Sequence, residues 1–159
     1  MTAVTRTYPQ TVPTNSCEIE IDNEKVIEME AADANIKAGS LVGVGGSANT
    51  VISSSSNGGG QGQAVIGYAL DNKLWDETNE KRYAWDDAYP TGSTVRIAPI
   101  GSGMKVAATA DSNGVTQGLT VICTDQATVG YVKDGTTSGI IAGRALATAT
   151  SAVRFAVQI

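Results

Sequence analysis

The chain has no histidine among its 159 residues. That absence removes Ser–His and Cys–His nucleophile systems, imidazole general-base catalysis and most zinc sites. Cysteine is nearly as scarce, with Cys17 and Cys123 the two present. They cannot form a four-ligand zinc site alone, and a disulfide scaffold would need more of them. Each lies in a strand-like run, so two buried thiols are the simpler expectation, with a Cys17–Cys123 pairing as the alternative. Basic residues form no run and the net charge is −5, which argues against a nucleic-acid surface. Mild acidity of this kind fits a soluble protein or attraction to a basic partner face. No apolar run approaches the ~18 residues of a membrane span. The start, MTAVTRTYPQ, has no apolar signal core. These absences predict a soluble protein made in the cytoplasm, with no nucleic acid or membrane partner.

Aromatic residues are also few, with one Phe and two Trp. The apolar content comes mainly from Ala, Val and Ile, set among abundant Gly, Ser and Thr, a mixture that favours short strands and turns. The length fits one domain, and two stretches of it repeat. Residues 36–70 run IKAGSLVGVGG…GQAVIGYAL, and residues 115–146 run VTQGLTVICTDQATVGYVKDGTTSGIIAGRAL. Each opens on a turn glycine, Gly39 or Gly118, before a β-branched strand. Each closes on Gly-x-Ala-Leu, at residues 67–70 and 143–146. The extra length of the first copy fits the loop at residues 53–62. The copies read as two halves of one β-body, with a segment inserted between them.

Along the chain, residues 1–16 contain prolines and threonines without a buriable pattern and read as an extended arm. As a frayed end the arm would do nothing; as a strap ordering on a partner, Tyr8 between Thr7 and Pro9 would anchor it. Residues 17–32 predict a hairpin: Ile19 and Ile21 alternate with Glu18 and Glu20, Asp22-Asn23 turns, and Val26, Ile27 and Met29 follow. A helix over residues 23–32 is the competing reading. Leu41, Val42 and Val44 form a strand turned at Gly45-Gly46 into Val51 and Ile52. Residues 53–63 are a loop and 64–70 a strand of a barrel wall. Strands follow at residues 93–100, 104–110, 119–124, 127–133 and 139–146. The last, at 152–159, places Val153, Phe155, Val157 and Ile159 on one face and Arg154 and Gln158 on the other. Short strands at this spacing predict an all-β fold, a small barrel or sandwich.

Residues 71–90 differ from the rest. They carry both tryptophans, Trp75 and Trp85, with Tyr83, Tyr89 and a cluster of charge. Acids preceding bases in DETNEKR predict one or two helical turns capped by Asp76. The segment reads either as a lid on an open barrel end or as a protein–protein contact, for which Trp, Tyr and Arg are the usual anchors. Trp75, Arg82, Tyr83, Trp85 and Tyr89 are the interface or ligand candidates.

Other chemistry is thinly represented. Gly43-Val44-Gly45-Gly46 resembles a phosphate-binding loop, but such loops must open a helix, and NTVISSSS follows. Asp76/Glu77 and Asp86/Asp87 are paired carboxylates, yet all lie in one short segment that cannot easily wall a glycosidase cleft. Asp71, Asp76 and Glu80 lack a calcium-loop spacing. No catalytic, cofactor or metal residue is assigned, and no cofactor is expected.

The repeat and the closing valines carry a resemblance. Gly118, the run at residues 143–146 and the alternating valines at 153–159 resemble the small capsid decoration, or cement, proteins of tailed viruses. Residues 38–71 show the same pattern and look like the lambda-type head decoration proteins. The resemblance covers residues 36–70 and 91–159. It implies a non-enzymatic virion protein on the outer capsid surface, assembled in the host cytoplasm. It implies a homotrimer at local threefold positions that clamps neighbouring major capsid subunits. The family's N-terminal arm contacts the shell, which here assigns Thr5, Arg6, Thr7, Tyr8 and Pro9 as capsid-contact residues. Extended arms add strands to exposed sheet edges, and many copies supply avidity. The rival reading is a carbohydrate- or cell-binding β-domain of a viral fibre or surface structure, with Trp75, Tyr83, Trp85 and Tyr89 stacked on sugar rings. A hydrolase using the carboxylates of residues 71–90 is a third reading.

Overall fold

The computed structural model describes residues 12–54, 64–124, 129–135 and 141–159. The arm residues Thr5, Arg6, Thr7, Tyr8 and Pro9 and most of the loop at 53–63 lie outside that set. Thirteen strands follow in order: β1 Glu18–Glu20, β2 Ile27–Ala31, β3 Leu41–Val44, β4 Thr50–Ser53, β5 Val65–Ala69, β6 Trp75–Asp76, β7 Lys81–Arg82, β8 Thr94–Pro99, β9 Lys105–Thr109, β10 Thr120–Cys123, β11 Val132–Asp134, β12 Ile141–Ala145 and β13 Arg154–Gln158. Among the described residues no helix is long and apolar enough to cross a membrane.

The expected all-β barrel is present, and its repeat is longer than the residues that announced it. Strands β2-β4-β3-β5-β8 form a closed barrel. Strands β9-β13-β12-β10-β11 follow the same path in the second half. Their ends meet through one parallel bridge, Ala110 to Val132, which answers the parallel pairing of Ala31 with Val51 in the first barrel. Each half is therefore a barrel of its own, not half of one. Registers coincide as well. Val42 lies opposite Gly67, and Val121 opposite Gly143, with the ladder slipping at the next residue in both copies.

The turn glycines explain how both copies find this register. Gly39 and Gly118 hold φ of +82° and +86°, a region that a side chain disfavours. In that conformation Gly39 N–H donates to Ala69 C=O and Gly118 N–H to Ala145 C=O, each at 2.8 Å. A Cβ on Gly67 would strike the Ala98 carbonyl, and one on Gly143 would come within 2.6 Å of the Gln158 carbonyl oxygen. Ala98 and Gln158 hold matching places opposite Tyr68 and Arg144 in the two ladders.

The cores match position by position. Ala31, Ile36, Val42, Val51, Ala69, Tyr89, Val95 and Ile97 fill the first barrel. Their counterparts Ala110, Val115, Val121, Val132, Ala145, Ala149, Phe155 and Val157 fill the second. Where the first has Tyr89 and Val95, the second has Ala149 and Phe155, so large and small exchange places and the volume is roughly kept. Between the barrels lies a further apolar layer. Leu41, Tyr68, Leu70 and Ala98 of the first barrel share one apolar cluster there with Ala107 and Ala142 of the second. Tyr68 Oη donates to Ala142 C=O across it at 2.8 Å.

Three expectations are corrected. β1 and β2 do not form a hairpin: β1 pairs with β9, while β2 pairs with β8 and β4. The turn at Asp22–Lys25 thus sends consecutive strands to different barrels. On β9, Lys105 lies 2.9 Å from Glu20, while Glu18 reaches back to Arg96 of β8 in the first barrel at 2.8 Å. Residues 23–32 contain strand β2, not the alternative helix. The helical turns expected within residues 71–90 are a two-residue hairpin, β6–β7. Asp76 does cap, but it caps a turn: its Oδ1 accepts from Thr78 and Asn79 N–H at 3.0 and 3.2 Å. Glu80 then takes φ of +51°, which ends any helical course.

Candidate interaction surface

The segment inserted in the first copy alone is the most distinctive surface. Leu70 N–H donates to Arg96 C=O, and Leu146 N–H to Ala156 C=O, at matched places. Gly92 and Ala152 return the chain at matched places too, with N–H groups bonded to Ala31 and Ala110 carbonyls. Residues 71–91 fill the gap in the first copy and only residues 147–151 in the second.

Anchors hold the insertion at both ends. Asn72 Nδ2 reaches the Asp87 and Ala88 carbonyls, at 3.2 and 3.4 Å. Tyr89 is 1% exposed, and its hydroxyl lies 2.9 and 3.0 Å from the Leu70 and Asp71 carbonyls. Burial pushes the Tyr89 phenol well up from its usual range. Trp85 is half-buried on the inter-barrel cluster, with the Arg154 guanidinium 4.7 Å above its ring, an attractive cation–π geometry. Arg154 also donates to the Pro13 and Ser16 carbonyls, at 3.1 and 2.6 Å, tying the end of the arm to β13.

The five aromatic and basic candidates therefore divide. Tyr89 is spent in the core and Trp85 in an anchor. Tyr83 is half-buried, its N–H bonded to Leu74 C=O. Trp75 and Arg82 face each other directly across β6–β7, with Trp75 51% exposed. Arg82 Nη1 donates to Lys73 C=O at 3.3 Å, which steadies the guanidinium. An exposed Trp–Arg pair on a braced hairpin can bury an aromatic face and form charge-assisted hydrogen bonds with a partner.

The remaining polar candidates are engaged locally. Asp76 binds its own turn, including Asn79 Nδ2 at 2.7 Å, and that bond together with the backbone N–H groups lowers its carboxyl pKa. Asp87 Oδ2 accepts from Ala84 N–H at 2.7 Å. Asp71, which sequence reasoning raised only as a calcium candidate, is buried under the arm. It accepts from Ser16 Oγ and, at 2.8 Å, from Cys17 N–H. Gly43–Gly46 ends β3 and turns toward β4, without a helix to receive a phosphate. Among the described residues no group of three His, Cys, Asp or Glu could hold a metal. Cys17 and Cys123 are not joined in a disulfide. Burial, with Asp71 nearby, pushes the Cys17 thiol well above its usual range. Sequence reasoning missed Arg154 as the residue joining arm, barrel and insertion. Its only signal was a cation in a valine-alternating strand.

No protein-family model matches the chain, and no curated protein matches it. Among solved structures, the head fiber gp8.5 N base in bacteriophage phi29 aligns with 84% of this chain and 92% of that one. The TM-score is 0.47 at 12% identity. A likeness of that degree says nothing on its own about function.

Proposed function

We propose that this protein is a structural component of a tailed-virus particle. It decorates the outside of the head, binding as a homotrimer across neighbouring major capsid subunits, and its role is not enzymatic. The observation that carries the reading is the placement of the Trp75–Arg82 hairpin. It is added to one barrel only, braced by Asn72, Trp85 and Tyr89, and presents aromatic and cationic groups outward. Two fused barrels make a stiff body, and such a body transmits a clamp between subunits. The sequence resemblance to decoration proteins points the same way.

Empty and filled heads sedimented with the protein test this. The wild type should co-sediment and raise the temperature at which filled heads lose DNA. Trp75→Ala with Arg82→Ala should weaken co-sedimentation about tenfold or more while the free protein melts unchanged. Equal DNA-loss temperatures with and without the protein would end the stabilising role. The exposure of Trp75 also favours a second reading, in which the hairpin stacks on a sugar ring. Tryptophan quenching by a glycan panel, abolished in Trp75→Ala, would select it.

A further inference from the structure

The two barrels differ at one sheet edge. In the second barrel, β1 lies along the start of β9: Glu18 pairs with Val106, Glu20 with Lys105, and Ala107 N–H donates to Cys17 C=O at 2.8 Å. The matching edge of the first barrel is the start of β2. Ile27 answers Val106 there, and Glu28 answers Ala107, as the pairings Ile27–Ile97 and Val106–Val157 require. Among the described residues nothing lies along it. Glu30 N–H points to the same side and is bonded to Asn49 C=O. Alternation puts Glu28 N–H on that side too, and no described residue accepts it. The two edges differ in burial as well: Val106 is fully buried, whereas Ile27 is 38% exposed.

An open edge of this kind is a template for an added strand. We propose that the β2 edge at residues 26–28 seats the N-terminal arm of a second copy of this chain. Three observations select that occupant. The filled seat on β9 is taken by the segment that directly follows the arm, so the duplicated seat suits the same mode of binding. Residues 1–11 are long enough, at about 3.3 Å per residue, to lay a strand along the edge with length to spare. Charge also matches. Residues 1–17 contain Arg6 and no acid, while Glu28 and Glu30 flank the open edge. Those acids disfavour a glutamate-bearing strand such as β1, which stays on β9 opposite Lys105. Arg154 pins Pro13 and Ser16 to the second barrel, whereas the open seat is on the first; we therefore assign the seat to a second copy's arm, and an arm folded back on its own chain would leave the mass unchanged on truncation. Each chain then offers one arm and one seat, a head-to-tail contact that can close into a ring. The inference stands independently of any capsid role.

Light scattering on the full chain tests it, alongside two variants. One lacks residues 1–11. The other, Glu28→Pro, removes the outward N–H, which β8 does not use; proline is tolerated on an edge facing solvent. The full chain should run as an oligomer and each variant as a single chain. Mixed in equal amounts, the variants should form a 1:1 pair that neither forms alone, since one keeps the seat and the other keeps the arm. If the proline variant fails to fold, Glu28→Lys, which sets a cation against Arg6, takes its place. An unchanged mass on truncation would overturn the proposal, as would a monomeric full chain or a mixture that stays monomeric.

Discussion

The two barrels bury eight matched positions, four with the same residue and four with different ones, and the exchange of Tyr89 and Val95 for Ala149 and Phe155 is the sharpest case. Identity at those four positions has drifted while the volume of the exchanged pair is roughly kept. The glycines do not drift. Gly39 and Gly118 hold matched places because each takes a positive φ, and Gly67 and Gly143 because an added Cβ would strike a carbonyl oxygen of the next strand. What separates the copies lies outside those positions: a hairpin inserted in the first, and an edge strand supplied to the second. The shared part makes the scaffold, and the unshared parts are where contacts with other molecules have room to differ.

The largest expected effect tests the core exchange. Tyr89→Ala should cost about 3–5 kcal/mol in urea unfolding, because it opens a cavity and removes the anchor of the insertion. Adding Val95→Phe copies the second barrel's solution and should recover about 1 kcal/mol or more. Strictly additive losses would show that the two positions do not compensate. Next come the glycines. Gly67→Val and Gly143→Val should each cost about 1–3 kcal/mol. Gly46→Ala, where an added Cβ meets nothing within 4 Å, should stay within about 0.5 kcal/mol.

A smaller effect runs in the stabilising direction. Ala152 holds φ of +58° where the first barrel has Gly92 at +85°. Ala152→Gly should therefore raise stability by up to about 1 kcal/mol, and Gly92→Ala should lower it by a similar amount. The smallest effect is chemical. Cys123, half-exposed, should react with a thiol reagent at pH 8 well before Cys17, which burial keeps protonated. Because the folded Cys17 pKa is raised, its share of stability is intact below the ordinary thiol pKa. It is lost progressively as pH climbs from that ordinary value through the raised one. Equal reaction rates would contradict the burial of Cys17.

Much of the scaffold was legible because turn glycines and Gly-x-Ala-Leu closures are short-range signals. The outer strands of the repeat were not: IEMEA and KVAAT share no motif, and neither do TVRIAP and RFAVQ. Their likeness is one of register, set by partners far along the chain. The same cause hid the parting of β1 and β2, since alternation predicts a strand without naming its neighbour. Asp76 was legible as a cap, but a cap serves a turn as well as a helix, and the positive φ at Glu80 decided between them. Of the aromatic candidates, composition marked the right segment. It could not separate Tyr89, whose hydroxyl satisfies buried carbonyls, from Trp75, which is 51% exposed.

Amide hydrogen exchange at Glu28 and Ala107, in the full chain and in the chain lacking residues 1–11, bears most directly on the contrast between the barrels. Ala107 should exchange slowly in both, held by Cys17. Glu28 should exchange slowly in the full chain at concentrations where it associates, and fast once the arm is gone. Glu28 amides that exchange fast in both, or slowly in both, would contradict the claim that the copies differ by one filled and one fillable edge.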